Sequence, residues 1–214
     1  MVPPEESVRD PSPAYRVETE RLTLRCFEPT DAERLQVAVA QSREHLMPWM
    51  AWAADEPQDI SQKVQLIRGF RGRFDLGKEF VFGIFERASD ELVGCCGLHP
   101  RCGPGGLEMG YWVHVDRAGA GIGTEAAAAL TRVAIELERA EFVEINCEPS
   151  NEPSAAIPRK LGFTCEGVGR ARLRWPDGAR KDKQTWSLLA EEYIESPCAS
   201  AVLEAFDVVG GRLI

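Results

Sequence analysis

Between Phe80 and Val115 the chain carries three apolar runs, Phe80 to Phe85, Leu92 to Leu98 and Leu107 to Val115. They are parted by Asp90 and by the turn Gly103-Pro104-Gly105-Gly106. Short apolar runs separated by turn residues form an antiparallel meander. A helix from Thr124 to about Glu138 is predicted next, followed by a strand from Phe142 to Cys147 and a short helix from Glu152 to Leu161. A last hairpin turns at Pro176-Asp177-Gly178. Ahead of the meander, Leu22 and Leu24 alternate with Arg21, Thr23 and Arg25, which predicts one strand within Tyr15 to Phe27. Pro29-Thr30-Asp31 offers a helix start, and two short helices are expected, the second from Ser42 through Met50. A third is capped by Asp59 and ends by Gly77, with Ile60, Val64, Ile67 and Arg71 near one stripe. The order predicts an α/β (α+β) fold: one mixed, largely antiparallel sheet of about seven strands flanked by helices.

The 214 residues suit a single domain, placed at 15–195. Residues 1–14, with four prolines, are expected to form a loosely attached lead-in. The extension 196–214 holds Val202, Leu203, Phe206, Val208 and Val209, so it is expected to dock on the body or on a second subunit as a homodimer. No apolar run reaches the roughly 20 residues of a membrane span, and the N-terminus lacks a signal-peptide pattern. A net charge of −9, from 34 acidic and 25 basic residues, argues against nucleic acid and favours a cationic substrate such as an amine. Seven cysteines without a CxxC pair read as reduced thiols of the cytoplasm. Cys96, His99 and Cys102 supply only three ligands, so no metal is expected.

Gly119-Ala120-Gly121-Ile122-Gly123 joins the strand ending at Val115 to the following helix. A helix N-terminus leaves about four amides without partners and attracts phosphate oxygens. The glycines equally suit a plain tight turn that needs positive φ. A dinucleotide fingerprint would need its third glycine at Thr124, and no Gly-Lys-Ser/Thr phosphate loop occurs.

Glu108-Met109-Gly110-Tyr111-Trp112-Val113-His114-Val115, followed by the glycine turn and Thr124-Glu125-Ala126, resembles the GNAT N-acetyltransferase superfamily, most closely its RimJ/RimL-like branch. Asn151-Glu152-Pro153-Ser154, Lys160-Leu161-Gly162-Phe163 and His45-Leu46-Met47-Pro48-Trp49-Met50-Ala51-Trp52 extend the resemblance over about residues 15 to 195. It implies transfer of an acetyl group from acetyl-CoA directly to a primary amine in a ternary complex. The amine is that of a protein or peptide N-terminus or of a small molecule. By the same resemblance the pantetheine arm pairs near Val113 and Val115. The pyrophosphate rests on Gly119, Ala120, Gly121, Ile122, Gly123 and Thr124, and Asn151 also contacts the coenzyme.

Two residues depart from the family pattern. Ala118 stands where the family's loop opens with Arg or Gln, Arg117 being one position early. Pro158 stands where many relatives carry a tyrosine acid, and it has no N–H for the carbonyl of Ser154, which is expected to lack its helical partner. These departures keep a second reading open, a non-catalytic acyl-CoA-binding or regulatory module on the same fold.

Amine attack on a thioester needs proton removal, since a lysine titrates near 10.4 and an α-amine near 7.7–8.0. Strand alternation sets Glu108 with Gly110, Trp112 and His114, which makes Glu108 the candidate base, direct or through water, and His114 the alternative. Leaving thiolate needs modest protonation help. With Pro158 in the tyrosine position, the resemblance assigns Ser154 as the acid, beside the plain reading that Asn151 caps a helix whose first turn holds Ser154. Trp49 and Trp52 line the acceptor pocket by resemblance, or plug the gap between the early helices and the sheet.

Overall fold

The computed structural model describes residues 13–214. The apolar meander forms β3 (Phe80–Glu86), β4 (Leu92–His99) and β5 (Gly106–Val113), paired antiparallel in chain order. The sheet is the helix-flanked, largely antiparallel one expected from the sequence, with nine strands in place of about seven. The stretch from Tyr15 to Phe27 is a hairpin of β1 (Arg16–Glu18) and β2 (Leu22–Cys26) rather than one strand. Thr19 makes the reversal: its amide donates to the Leu22 carbonyl at 2.9 Å and its Oγ1 accepts from the Leu22 amide at 3.0 Å.

The other added strand comes from the C-terminal extension, where β9 (Glu204–Phe206) pairs with β1. The extension therefore docks on its own body, burying Cys198, Leu203 and Ala205. Of the lead-in expected at 1–14, all but Pro13 and Ala14 lies outside the described residues, and Ala14 is already buried in the core.

A single α1 (Ala32–Leu46) replaces the two expected short helices. No breaker interrupts it before Pro48, and Leu35, Ala38, Val39, Ser42 and Leu46 form one continuous buried stripe. Helix α2 (Ile60–Asp75) starts as expected at Asp59, whose side chain accepts from the Gln62 amide at 2.9 Å. Its buried positions are Lys63, Ile67 and Phe74, whereas Ile60 is exposed. Lys63 tolerates burial because it ion-pairs with the equally buried Glu56.

Helix α3 (Ile122–Glu136) begins before the expected Thr124, because Gly121 already takes the left-handed conformation at the cap. Strand β6 (Phe142–Cys147), α4 (Glu152–Lys160), the hairpin β7 (Thr164–Arg174) and β8 (Arg180–Leu189), and the short α5 (Ala190–Tyr193) complete the chain. The strand order is β7-β8-β6-β5-β4-β3-β2-β1-β9. Helices α3 and α4 cover one face through Ala126, Leu130, Val133 and Ala155 against Met109, Val143 and Ile145. On the other face α1 packs through Leu35, Val39 and Leu46 against Phe85, Leu92 and Trp112.

Cys96, His99 and Cys102 do not gather: Cys96 lies in the core and His99 Nδ1 sits 2.5 Å from Glu79. Among the described residues no group of three or more His, Cys, Asp or Glu side chains could hold a metal, and no helix is long and apolar enough to cross a membrane.

Candidate active site

The site begins where the sheet opens. Strands β5 and β6 are parallel neighbours only from Gly106↔Phe142 to Met109↔Ile145. Beyond that, β5 runs on beside β4 to Val113, and β6 runs on beside β8 to Cys147, leaving a fork. The His114 amide donates to Val93 at 2.8 Å, on the β4 side. Alternation therefore turns the backbone groups of Tyr111 and Val113 into the fork, where no strand meets them. Val115 differs, since its amide donates to Ser42 Oγ at 3.1 Å and its carbonyl accepts from Ala118 at 3.2 Å.

The glycine turn closes one end of the fork. Gly119 and Gly121 have φ of 78° and 82°, left-handed values that favour glycine. No side chain caps α3, so the amides of Ile122, Gly123 and Thr124 project from a bare helix start. Ala120 is exposed, but both its backbone groups are engaged: its amide donates to the Arg117 carbonyl at 3.2 Å and its carbonyl accepts from Arg21 Nη1 at 3.0 Å. Arg21, on the β1–β2 turn, also forks onto Glu125 in the first turn of α3 through Nε and Nη2, both 2.7 Å away. Thr19 Oγ1 donates to Glu125 at 2.6 Å. Burial works against charge on Glu125, but these donors outweigh it and hold the carboxyl below its usual range. Arg117 does not reach the turn, being held by Glu86 at 2.8 Å and Glu91 at 3.0 Å.

At the α4 side of the fork, Asn151 caps the helix by accepting from the Ser154 amide at 3.2 Å. Pro158 removes the N–H that would have met the Ser154 carbonyl, and Tyr111 Oη donates to that carbonyl instead, at 3.2 Å. The phenol also lies 3.5 Å from Ser154 Oγ. Burial drives the Tyr111 pKa upward, so the phenol stays protonated. Cys147 at the end of β6 is a third polar neighbour; burial raises its thiol, with the Ser154 hydroxyl pulling the other way.

Glu108 lies across the sheet from this cluster. It sits beside the last parallel pair, on the same face as Trp112, and its Oε1 accepts from Arg101 Nη2 at 2.6 Å. Glu108 and Ser154 thus lie on opposite faces of the sheet and are not brought into contact. His114 is committed: Nδ1 accepts from the Asp116 amide at 3.2 Å, which leaves Nε2–H to donate to Gln41 at 2.9 Å. Both ring nitrogens of His114 are thereby engaged within the protein.

Trp52 lies with its ring centroid 6.2 Å from that of Trp112. A cavity of about 350 Å³ opens beside it, lined by Ala51, Trp52, Asp55, Arg174, Trp175 and Pro176. Trp49 stands apart from that lining, against Lys181, whose Nζ lies 5.9 Å from the Trp49 ring and 4.3 Å from that of Trp175. Lys181 also donates to the Pro48 carbonyl at 2.8 Å and to Glu148 at 2.6 Å.

Sequence reasoning had no place for Tyr111, Arg21 and Trp175. For Tyr111 the signal is partial: the orphan carbonyl on Ser154 requires a donor from elsewhere, without pointing to Tyr111. Arg21 gave none, since its partners Ala120 and Glu125 lie about a hundred residues away in sequence.

Residues 21–164 match the acetyltransferase (GNAT) domain model. The chain is 30% identical over 175 residues to YdaF of Bacillus subtilis, provisionally named a ribosomal N-acetyltransferase, a match covering 81% of this chain and 94% of YdaF. It is 27% identical over 175 residues to the Escherichia coli [ribosomal protein uS5]-alanine N-acetyltransferase, covering 77% of this chain and 88% of that one. The solved structure of Mycobacterium smegmatis RimJ in complex with CoA-disulfide superimposes with a TM-score of 0.75 at 25% identity, over 88% of this chain and 92% of RimJ.

Proposed function

The chain belongs to the GNAT acetyltransferase family and is an acetyl-CoA-dependent N-acetyltransferase, and from that premise we propose that its acceptor is the α-amine of a protein N-terminus. The fork carries this reading. A free β5 edge at Tyr111 and Val113 leads from the bare start of α3 to the hydroxyls of Ser154 and Tyr111. When bound, acetyl-CoA supplies the acetyl thioester. The amides of Gly121, Ile122, Gly123 and Thr124 would hold its pyrophosphate, as an unpartnered helix start does for anions. Gly119 gives the turn its shape, and Ala120, with both backbone groups engaged, does the same. The arm would take the place of the missing strand along Tyr111 and Val113, with Val115 excluded by its internal bonds. Asn151 acts through its cap, which fixes the start of α4.

Ser154 Oγ, steadied by Tyr111, is assigned to protonate the departing sulfur. Glu108, on the acceptor face with one oxygen fixed by Arg101, is assigned to draw the amine proton through water. An α-amine suits such a base, because it titrates about two units or more below a lysine. Trp52 and Asp55 would receive the cationic acceptor at the cavity, with Trp49 behind Lys181 bordering it. The seven cysteines, all unpaired, suit a cytoplasmic enzyme.

The relatives that act on ribosomal proteins support a protein acceptor for this chain. The test is thiol release from acetyl-CoA with peptides bearing a free N-terminus, a blocked N-terminus with a lysine, or neither, and with a small-amine panel. Acetylation confined to the free α-amine is expected. Turnover with small amines alone, or CoA binding with no release from any amine, would overturn the reading.

A further inference from the structure

In a protein of net charge −9, the stretch from Gly169 to Lys183 holds six basic residues against two acidic ones. This stretch is the tip half of the β7–β8 hairpin and forms one wall of the acceptor cavity through Arg174, Trp175 and Pro176. Some of its charge is spent internally. Lys181 pairs with Glu148 at 2.6 Å, Lys183 lies 3.7 Å from Glu144, and Arg180 donates to the Ala171 carbonyl at 3.3 Å. The two acids are occupied too, Asp182 by the Ala171 amide and Asp177 by the Ala179 amide, both at 2.8 Å.

Arg170, Arg172 and Arg174 are different. All three are exposed, and none of their side chains has a hydrogen bond or ion pair among the described residues. They cluster in the tip half of β7, the outermost strand of the sheet, where the ladder to β8 is irregular between Gly169 and Leu173 and Ala171 takes a left-handed φ of 56°; the outer edge of β7 pairs with nothing among the described residues. Three unpaired arginines within five residues repel one another, a cost that interspersed acids would offset. An anionic partner removes that cost.

We propose that this arginine row docks an acidic segment of the acceptor protein lying just downstream of the amine to be acetylated. The inference rests on the protein-acceptor reading above. With the N-terminal residue directed past Trp52 and Trp112 toward the fork, the next residues of the acceptor lie in the cavity beside Arg174, and those after them along Arg172 and Arg170. Arginine suits the task, because its planar fork meets carboxylates in pairs. Exposed pairs are individually weak and screened by salt, so discrimination comes from several together and fades as ionic strength rises. Nucleic acid offers the same anionic attraction, but the acidic remainder of the protein repels a long phosphate backbone, whereas a short acidic peptide need touch only the hairpin.

The test uses the full chain loaded with CoA and two C-terminally labelled peptides of equal length and identical first residue, one continuing with Asp and Glu, the other with Lys. Anisotropy gives binding without turnover, and acetyl-CoA thiol release gives KM and kcat. Wild type is expected to bind the acidic peptide about tenfold more tightly at low salt, the gap closing at high salt. Replacing Arg170, Arg172 and Arg174 together by Ala should erase the gap, and replacing them by Glu should invert it, with affinity for acetyl-CoA unchanged in both. Equal binding of the two peptides by wild type, or a preference that survives the triple replacement, overturns the proposal. So does tight binding of an RNA duplex in the absence of peptide preference. If neither peptide is acetylated yet the acidic one binds selectively, the docking surface stands and the protein-acceptor assignment falls.

Discussion

Tyr111 Oη donates to the Ser154 carbonyl at 3.2 Å, and it does so because Pro158 has no N–H to offer that carbonyl from the next turn of α4. One phenol thereby replaces a helical hydrogen bond and brings its oxygen to 3.5 Å from the Ser154 hydroxyl. Tyr111→Phe should lower the unfolding free energy by about 1–3 kcal/mol, the cost of a buried acceptor left alone. In a Pro158→Ala background, where the backbone supplies its own donor, the same replacement should cost clearly less. Urea unfolding of the four proteins in the cycle reads the coupling directly. Equal costs in both backgrounds would show that the two residues do not serve the same carbonyl.

Ser154→Ala separates chemistry from binding. Loss of a positioned proton donor is expected to lower kcat by about 10²-fold. Affinity for acetyl-CoA, measured by calorimetry, should be unchanged, because the cap of α4 uses the Ser154 amide rather than its hydroxyl. An unaltered kcat would remove Ser154 from the acid role.

Arg21 performs from a distance a task that the sequence of the turn leaves open. With Ala118 in place of a cation and Arg117 held by Glu86 and Glu91, Arg21 is the guanidinium that fixes the turn, through Ala120 and Glu125. Its charge also balances Glu125 in the first turn of α3, beside the amides proposed to take the pyrophosphate. Arg21→Ala should raise the Kd for acetyl-CoA about tenfold, the equivalent of roughly 1.4 kcal/mol. Arg21→Ala combined with Glu125→Gln should recover part of that loss, which a purely steric role for Arg21 would not allow.

What the sequence made legible follows the range of the interactions involved. Meander, glycine turn and the cap at Asp59 are local, and the structure places all three where periodicity and turn chemistry put them. The β1–β2 hairpin was hidden because Thr19-Glu20-Arg21 carries no glycine or proline to mark a turn, its reversal being made by the Thr19 side chain. Strand β9 exists only because β1 offers it an edge, a partnership across nearly the whole chain. At the site, the orphaned carbonyl of Ser154 could be read from Pro158 alone, but its donor could not, since alternation makes Tyr111 look like a core residue beside Met109 and Val113. Alternation sets Glu108 on the face of Trp112, while its pairing with Arg101 depends on how the turn after β4 folds back.

The two left-handed glycines should respond differently to a side chain. A Cβ on Gly119 would meet open space, so Gly119→Ala should cost only its backbone strain, about 1–2 kcal/mol. A Cβ on Gly121 would stand 3.4 Å from Arg21 Nη2, and Gly121→Val adds branching at a φ of 82°. Gly121→Val is therefore expected to weaken acetyl-CoA binding by more than tenfold, and Gly119→Ala by less, with circular dichroism unchanged in both. The reverse order would mean that the phosphates approach Gly119 rather than the start of α3.

Acid should unfold this protein through its paired carboxylates. Asp31 with Arg25, Glu79 with His99 and Arg73, Glu125 with Thr19 and Arg21, and Glu148 with Lys181 all keep carboxyls below their ordinary range in spite of burial. A depressed pKa in the folded state means that the unfolded chain binds more protons as pH falls. The stabilisation is complete well above the unfolded carboxylate values of about 3.9–4.3 and is lost as pH falls through them toward the folded ones. Urea midpoints should thus begin to fall as pH passes the ordinary histidine value of about 6.5, because burial holds His99 below it, and drop more steeply below about pH 5. Glu125→Gln should start from a lower midpoint at neutral pH and decline less steeply in acid, because it has one fewer proton to take up on unfolding. A decline as steep as that of the wild type would show that the Glu125 cluster contributes nothing to the pH dependence.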